Sequence, residues 1–218
     1  MAEKKYQTIL YDLDGTLIDH FEAIHRCYAA VQRAMGLPEA DYEKVRRTVG
    51  GSIPVTMERL VGPERAGPAV RLFKEKFPEF MYDGVAWLPG VELLIPAMRK
   101  QGYGQAVLTN KDGDPARRVL AHLGAGEWFD LVLGADDTPW RKPQAEFTRA
   151  ALDRMRAEPA HTCLIGDSPF DYEAARAGGL DCYLVNTGSH TADELEPLGA
   201  EGVYPSMEAL MTDLGWIE

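Results

Sequence analysis

Two carboxylates one residue apart, Asp12 and Asp14, with Gly15 directly behind them, are the first residues in this chain whose types and spacing could do chemistry. They close an apolar run, Thr8-Ile9-Leu10-Tyr11, that reads as a buried parallel strand. Ionised Asp is almost never found in a core unless it is paired or bound to metal. Both acids therefore belong where the strand runs out, at its carboxyl edge, where open α/β sheets bind ligands. Taken alone, the pattern could equally be a strand cap or a turn. Three later stretches bear on that choice: Thr109-Asn110 after a short apolar strand, Lys142-Pro143, and Gly166-Asp167-Ser168-Pro169-Phe170-Asp171 after another strand.

If these strand ends share one edge, three or more carboxylates converge. Like charges at close range are costly, so the group calls for a cation. Few, hard oxygen ligands suit Mg²⁺, which keeps waters and accepts phosphate oxygens. A lysine (Lys142) and a hydroxyl (Thr109) beside that metal fit a phosphoryl group better than a bare metal site.

The elements that must position these residues follow from periodicity. From residue 17 to about 86, four helical segments run without a strand between them. The first carries Ile24, Val31 and Met35 on one face and is closed by Gly36 and Pro38. The second runs from Asp41 to about Val49, the third from Pro54 to Leu60 and the fourth from about Pro68 to Tyr82. Alternation then begins. Strands are expected at 105–109, 131–133, 161–165, 182–185 and near Val203, with helices at 91–101, 114–123, 143–156, 171–177 and 206–214. That rhythm means βαβ units. The expected fold is α/β: a Rossmann-like parallel sheet flanked by helices, made of residues 1–16 and 87–218, with a four-helix domain, residues 17–86, inserted after the first strand.

Acidic residues outnumber basic ones 34 to 23, for a formal charge of −11. Nucleic acid and anionic membranes need a basic footprint, so neither is expected as a partner. A small anionic substrate responds to the local field instead. Cys27, Cys163 and Cys182 form neither a zinc spacing nor a disulfide framework, which fits a reducing, cytoplasmic setting. No signal-peptide pattern precedes the first strand, and no apolar stretch approaches a membrane span.

With its four motifs in order, Asp12-Leu13-Asp14-Gly15-Thr16, Thr109-Asn110, Lys142-Pro143 and Gly166-Asp167-Ser168 with Asp171, the chain resembles the haloacid dehalogenase superfamily, and within it the phosphoglycolate phosphatase-like branch. The resemblance spans nearly the whole chain, and the helical insertion resembles that family's four-helix cap. It implies a phosphoric monoester hydrolase with Asp12 as nucleophile and Asp14 as general acid, then base. It implies Mg²⁺ held by the Asp12 carboxylate, the Asp14 backbone carbonyl and Asp167. Thr109 and the Asn110 backbone would bind phosphoryl oxygens, and Lys142 would neutralise charge. Asp171 would orient Lys142 or metal-bound water; it could also be a helix N-cap, and Thr109 a strand terminator.

Departures between branches are chemical. Haloacid dehalogenases lack the second acid, which Asp14 supplies here. Phosphonoacetaldehyde hydrolases need a Schiff-base lysine in the cap, and no Lys lies between Gly50 and Glu64. β-Phosphoglucomutases hold a second phosphate with a cap-loop Arg, near where Ile53 stands. Hydrolysis of a small phosphorylated metabolite is therefore expected, with 2-phosphoglycolate the first candidate. A phosphosugar mutase is the alternative, as is a phosphatase for nucleotides, sugar phosphates or pyrophosphate. The loop Thr48-Val49-Gly50-Gly51-Ser52-Ile53 is the candidate specificity loop. Arg46 and Arg47 before it would face either substrate or solvent, and His20 either hinge packing or substrate. Monomer and homodimer both remain open.

Overall fold

The computed structural model describes residues 5–217. β1 (Thr8–Tyr11) is buried along its whole length. It pairs in parallel with β4 (Gly104–Leu108) on one side and β6 (Thr162–Gly166) on the other. With β5 (Leu131–Leu133), β7 (Asp181–Val185) and β8 (Gly202–Tyr204) it completes a six-stranded sheet in the order β5-β4-β1-β6-β7-β8. The chain builds outward from β1 to β5, then crosses back to β6. The order thus reverses at β1, and such switch points are where open α/β sheets hold ligands.

Alternate side chains of the central strands feed two cores. Ile9, Tyr11, Val107 and Ile165 pack with α5 (Val91–Lys100), α6 (Gly113–His122) and α10 (Met207–Asp213). Leu10, Ala106, Leu108 and Leu164 pack with α7 (Ala145–Met155) and α8 (Pro169–Gly178). Both sheet faces are covered, which is why these strands read as continuous apolar runs.

Between the two-residue strands β2 (Ile18–Asp19) and β3 (Ala86–Trp87) lie α1 (Phe21–Ala34), α2 (Tyr42–Arg46), α3 (Ile53–Val61) and α4 (Pro63–Phe80). β2 and β3 pair antiparallel, Ile18 with Trp87 and Asp19 with Ala86. An aromatic seam joins α1 to α4: Tyr28 lies 4.6 Å from Phe73, which stacks on Phe77 at 5.0 Å. α4 begins earlier than Pro68. Pro63 takes the first helical turn, where its missing N–H costs nothing, and Pro68 is carried inside the helix. α2 stops at Arg46, short of Val49, and the short helix α9 (Ala192–Leu195) has no periodic signal. Among the described residues, no helix is long and apolar enough to cross a membrane.

Candidate active site

The four motifs converge on the carboxyl edge. β1 ends at Tyr11, so Asp12 is the first residue past the strand, and its N–H is still tied to the Ile165 carbonyl at 2.9 Å. β4 ends one residue before Thr109, whose N–H bonds the Leu133 carbonyl. β6 delivers Asp167. Lys142 does not begin a helix as the sequence pattern implied; α7 starts at Ala145, and Lys142 sits in the loop before it. The Asn110 side chain fixes that loop: its Oδ1 accepts from Lys142 N at 2.9 Å, and its Nδ2 donates to the Lys142 carbonyl at 3.2 Å. The same Nδ2 reaches Gly50 O of the helical layer at 3.1 Å.

Lys142 is buried, and its Nζ lies 2.8 Å from Asp12 Oδ1 and 2.6 Å from Asp171 Oδ1. Asp171 uses its other oxygen on Ser168, at 2.6 Å from Oγ and 3.1 Å from N. This closes a capping box at the start of α8 in which Ser168, not Asp171, is the N-cap, and Asp171, the third helical residue, reaches back to it while also pairing with Lys142. Asp167 Oδ2 accepts from Ser189 N at 3.0 Å, and Oδ1 is approached by Thr16 Oγ1 at 3.4 Å.

Asp12, Asp167 and Asp171 are all buried, and one oxygen from each falls within 4.8 Å of the others. Three carboxylates crowd together, and the one ammonium among them pairs with two, Asp12 and Asp171. Burial, together with the Asp171 charge and against the pull of Lys142, pushes Asp12 up to about 6. Burial and the Asp12 and Asp171 charges raise Asp167 well above the carboxylate range. Burial lowers Lys142, but its two carboxylate partners outweigh that and hold it firmly charged. Such an excess of buried negative charge fits a divalent cation with hard oxygen ligands. Asp171 has both oxygens in contacts of 2.6 Å, to Lys142 and Ser168, whereas Asp167 Oδ1 meets only Thr16 Oγ1 at 3.4 Å and Asp12 meets Lys142 through Oδ1. Two glycines press on Asp167. A Cβ on Gly15 (φ +89°) would meet Gly188 Cα at 2.8 Å and Asp167 Oδ2 at 2.9 Å, and one on Gly188 would meet that oxygen at 1.8 Å.

The Asp14 side chain is engaged elsewhere. Lys111 Nζ bonds its two oxygens at 3.2 and 2.9 Å, and His20 Nδ1 lies 3.1 Å from Oδ1. His20 Nε2 donates to the Met81 carbonyl at 2.7 Å, tying the pair to the end of α4. Burial raises Asp14, but Lys111 and His20 outweigh it and hold the carboxyl below its usual range. The buried His20 is thus a junction between the acid and the helical layer. Lys111 went unassigned in the sequence reading, although its place directly after Thr109-Asn110 was the available signal.

Arg46 is half-buried and Arg47 exposed, and both reach back to the loop after β7. Arg46 Nη2 donates to Gly188 O at 2.9 Å and Arg47 Nη1 to Ser189 O at 3.1 Å, and Arg47 also pairs with Glu194. They clasp the helical layer to the loop that holds Asp167. Between layer and sheet edge lies a chamber of about 570 Å³, counted with the open solvent at its mouth, lined by Asp12, Asp14, Thr109, Asn110 and Lys111 below and by apolar side chains of α1, α3, α4 and the loop before α3 above.

The sequence of the haloacid dehalogenase-like hydrolase family matches residues 9–185. The phosphoglycolate phosphatase of Rhodobacter capsulatus is 31% identical over 93% of this chain and 94% of its own. That of Cupriavidus necator is 30% identical over 93% and 90%. A haloacid dehalogenase-like family hydrolase from Streptococcus pneumoniae superposes with a TM-score of 0.87 at 21% identity, covering 96% of this chain and 98% of that one. The chain belongs to the haloacid dehalogenase-like hydrolase family. Within it, the enzyme is a phosphoric monoester hydrolase.

Proposed function

We propose that this enzyme is a Mg²⁺-dependent, cytoplasmic phosphatase that hydrolyses a small phosphate monoester through an aspartyl-phosphate on Asp12. The supporting observation is the buried triad of Asp12, Asp167 and Asp171 with Lys142 bridging Asp12 and Asp171. An Asp12 oxygen attacks phosphorus, and the bond from phosphorus to the leaving oxygen breaks. Asp14 supplies that oxygen's proton, then takes one from the water that cleaves the acyl phosphate. Products are the alcohol and inorganic phosphate. Lys111 and His20 favour the ionised Asp14 that serves as base; the acid role requires them to yield.

Thr109 Oγ1 and the Asn110 backbone N–H bind phosphoryl oxygens, and Lys142 balances the charge that builds on them. Asp171 holds Lys142 in place. Asp12, the Asp14 carbonyl and Asp167 would hold Mg²⁺, which when bound offsets the repulsion between an anionic nucleophile and an anionic phosphoryl group. Residues 17–86 act as a cap that closes over residues 1–16 and 87–218, with loop 48–53 at the substrate. The names of the two bacterial relatives make 2-phosphoglycolate the first substrate to try.

The test is phosphate release from a panel of monoesters, with Mg²⁺ and with chelator, alongside Asp12→Asn. Mg²⁺-dependent turnover that the substitution abolishes is the expected result. No release from any ester by folded protein would overturn the proposal.

A further inference from the structure

The two walls of the chamber differ in chemistry, and the cap wall determines what leaving group the site can accept. Ile24, Tyr28, Val49, Ile53, Phe73 and Phe77 form that wall, and none of them carries a charge. Among the described residues, the polar side-chain atoms it adds are the hydroxyls of Tyr28 and Thr56, and Thr56 Oγ1 already donates to the Thr48 carbonyl at 3.1 Å. Among the described residues, the cations around the chamber are already paired. Lys111 is held by Asp14, and Lys74 pairs with Asp112 at 2.7 Å. Arg118 pairs with Asp114 in the outer cavity that shares Ile53, Phe73 and Phe77. Arg46 and Arg47 are turned onto the loop at Gly188 and Ser189.

A substrate with a second anionic group beside its phosphate would lay a carboxylate or phosphate against this surface. Desolvating an ionised group with no countercharge costs several kcal/mol. An uncharged ring or branched alkyl group instead gains from burial, and the stacked Tyr28–Phe73–Phe77 seam offers it aromatic edges and faces.

Building on the phosphatase reading above, we propose that the enzyme prefers phosphate monoesters whose leaving group is uncharged and apolar or aromatic, and discriminates against those carrying a second anion, 2-phosphoglycolate included. The Tyr28 hydroxyl leaves room for one neutral polar group on such a substrate.

Benzyl phosphate and 2-phosphoglycolate, both esters of primary alcohols, make the comparison, with Mg²⁺ present and kcat and KM measured separately. The expected kcat/KM ratio favours benzyl phosphate by about tenfold or more, the scale of discrimination a hydrophobic pocket supplies. Ile53→Lys, which puts a cation on the cap wall, should raise kcat/KM for 2-phosphoglycolate and raise KM for benzyl phosphate; Val49→Lys carries the same test if Ile53→Lys does not fold. Phe73→Leu should weaken benzyl phosphate alone. A smaller or reversed ratio in an active, Mg²⁺-dependent enzyme overturns this preference and leaves the phosphatase reading standing. Absence of Asp12-dependent turnover with both esters and the wider panel overturns both.

Discussion

The floor and the roof of the chamber are built on opposite principles. The floor is charged, and each of its charges has a named partner: Lys142 on Asp12 and Asp171, Lys111 and His20 on Asp14, Ser189 on Asp167. Asp12, Thr109 and Asp167 sit just past the ends of β1, β4 and β6, whose hydrogen-bonded neighbours hold the backbone on both sides. The roof is apolar, contributed by helix faces and one loop, and is tethered to the sheet by β2 and β3. Stabilising charge in a transition state needs dipoles and ions fixed before the reaction, and strand ends supply that rigidity. Choosing among leaving groups needs only shape and polarity, which helix surfaces can change without disturbing the floor.

If that contrast holds, floor substitutions should cost most. Lys142→Met removes the ammonium from two buried carboxylates. We expect a kcat loss of about 10³-fold or more and, in chelator, a lower urea midpoint, since breaking a buried ion pair costs about 3–5 kcal/mol. A modest kcat loss would show that charge balance lies elsewhere. Lys111→Met should lower kcat by about 10²-fold, the scale of general acid–base catalysis, with Mg²⁺ activation unchanged, because Asp14 loses its partner while the metal acids are untouched. Gly188→Ala should demand far more Mg²⁺ for half-maximal activity, because a Cβ there collides with Asp167 Oδ2. Activity titrated against Mg²⁺ reads this directly.

The crowded acids also predict a pH effect on stability. Asp12 is raised to about 6 and Asp167 is raised too, so the folded protein keeps protons that the unfolded chain would release. In chelator, stability should therefore fall as pH rises from about 4 through 6, and Mg²⁺ should flatten that slope. Urea midpoints across this range, with and without Mg²⁺, decide it. The smallest effect belongs to the clasp between roof and floor. Arg47→Ala breaks an exposed pair with Glu194 and should change kcat/KM by less than about threefold. A large loss would mean that the roof is part of the catalytic machinery rather than a selector.

Much of this was readable along the chain. Apolar runs ending in Asp12, Thr109 and Gly166-Asp167 could only be buried parallel strands with their polar ends at one edge, and the helix–strand rhythm carried the topology. Residues adjacent to a pattern could be named from the pattern. Four features depended on the tertiary structure. Lys111 and His20 meet Asp14 across 97 and 6 positions of sequence. Arg46 and Arg47 turn to carbonyls 142 positions away, where sequence alone left them between substrate and solvent. The helix start moved from Pro68 to Pro63, because local rules locate proline's permitted positions without saying which proline takes the first turn. The apolar roof came into view only when α1, α3 and α4 stood over the sheet edge. Local periodicity determines which face of an element is buried; what that face meets is decided by three-dimensional packing, and so are charge pairing and the character of the substrate pocket.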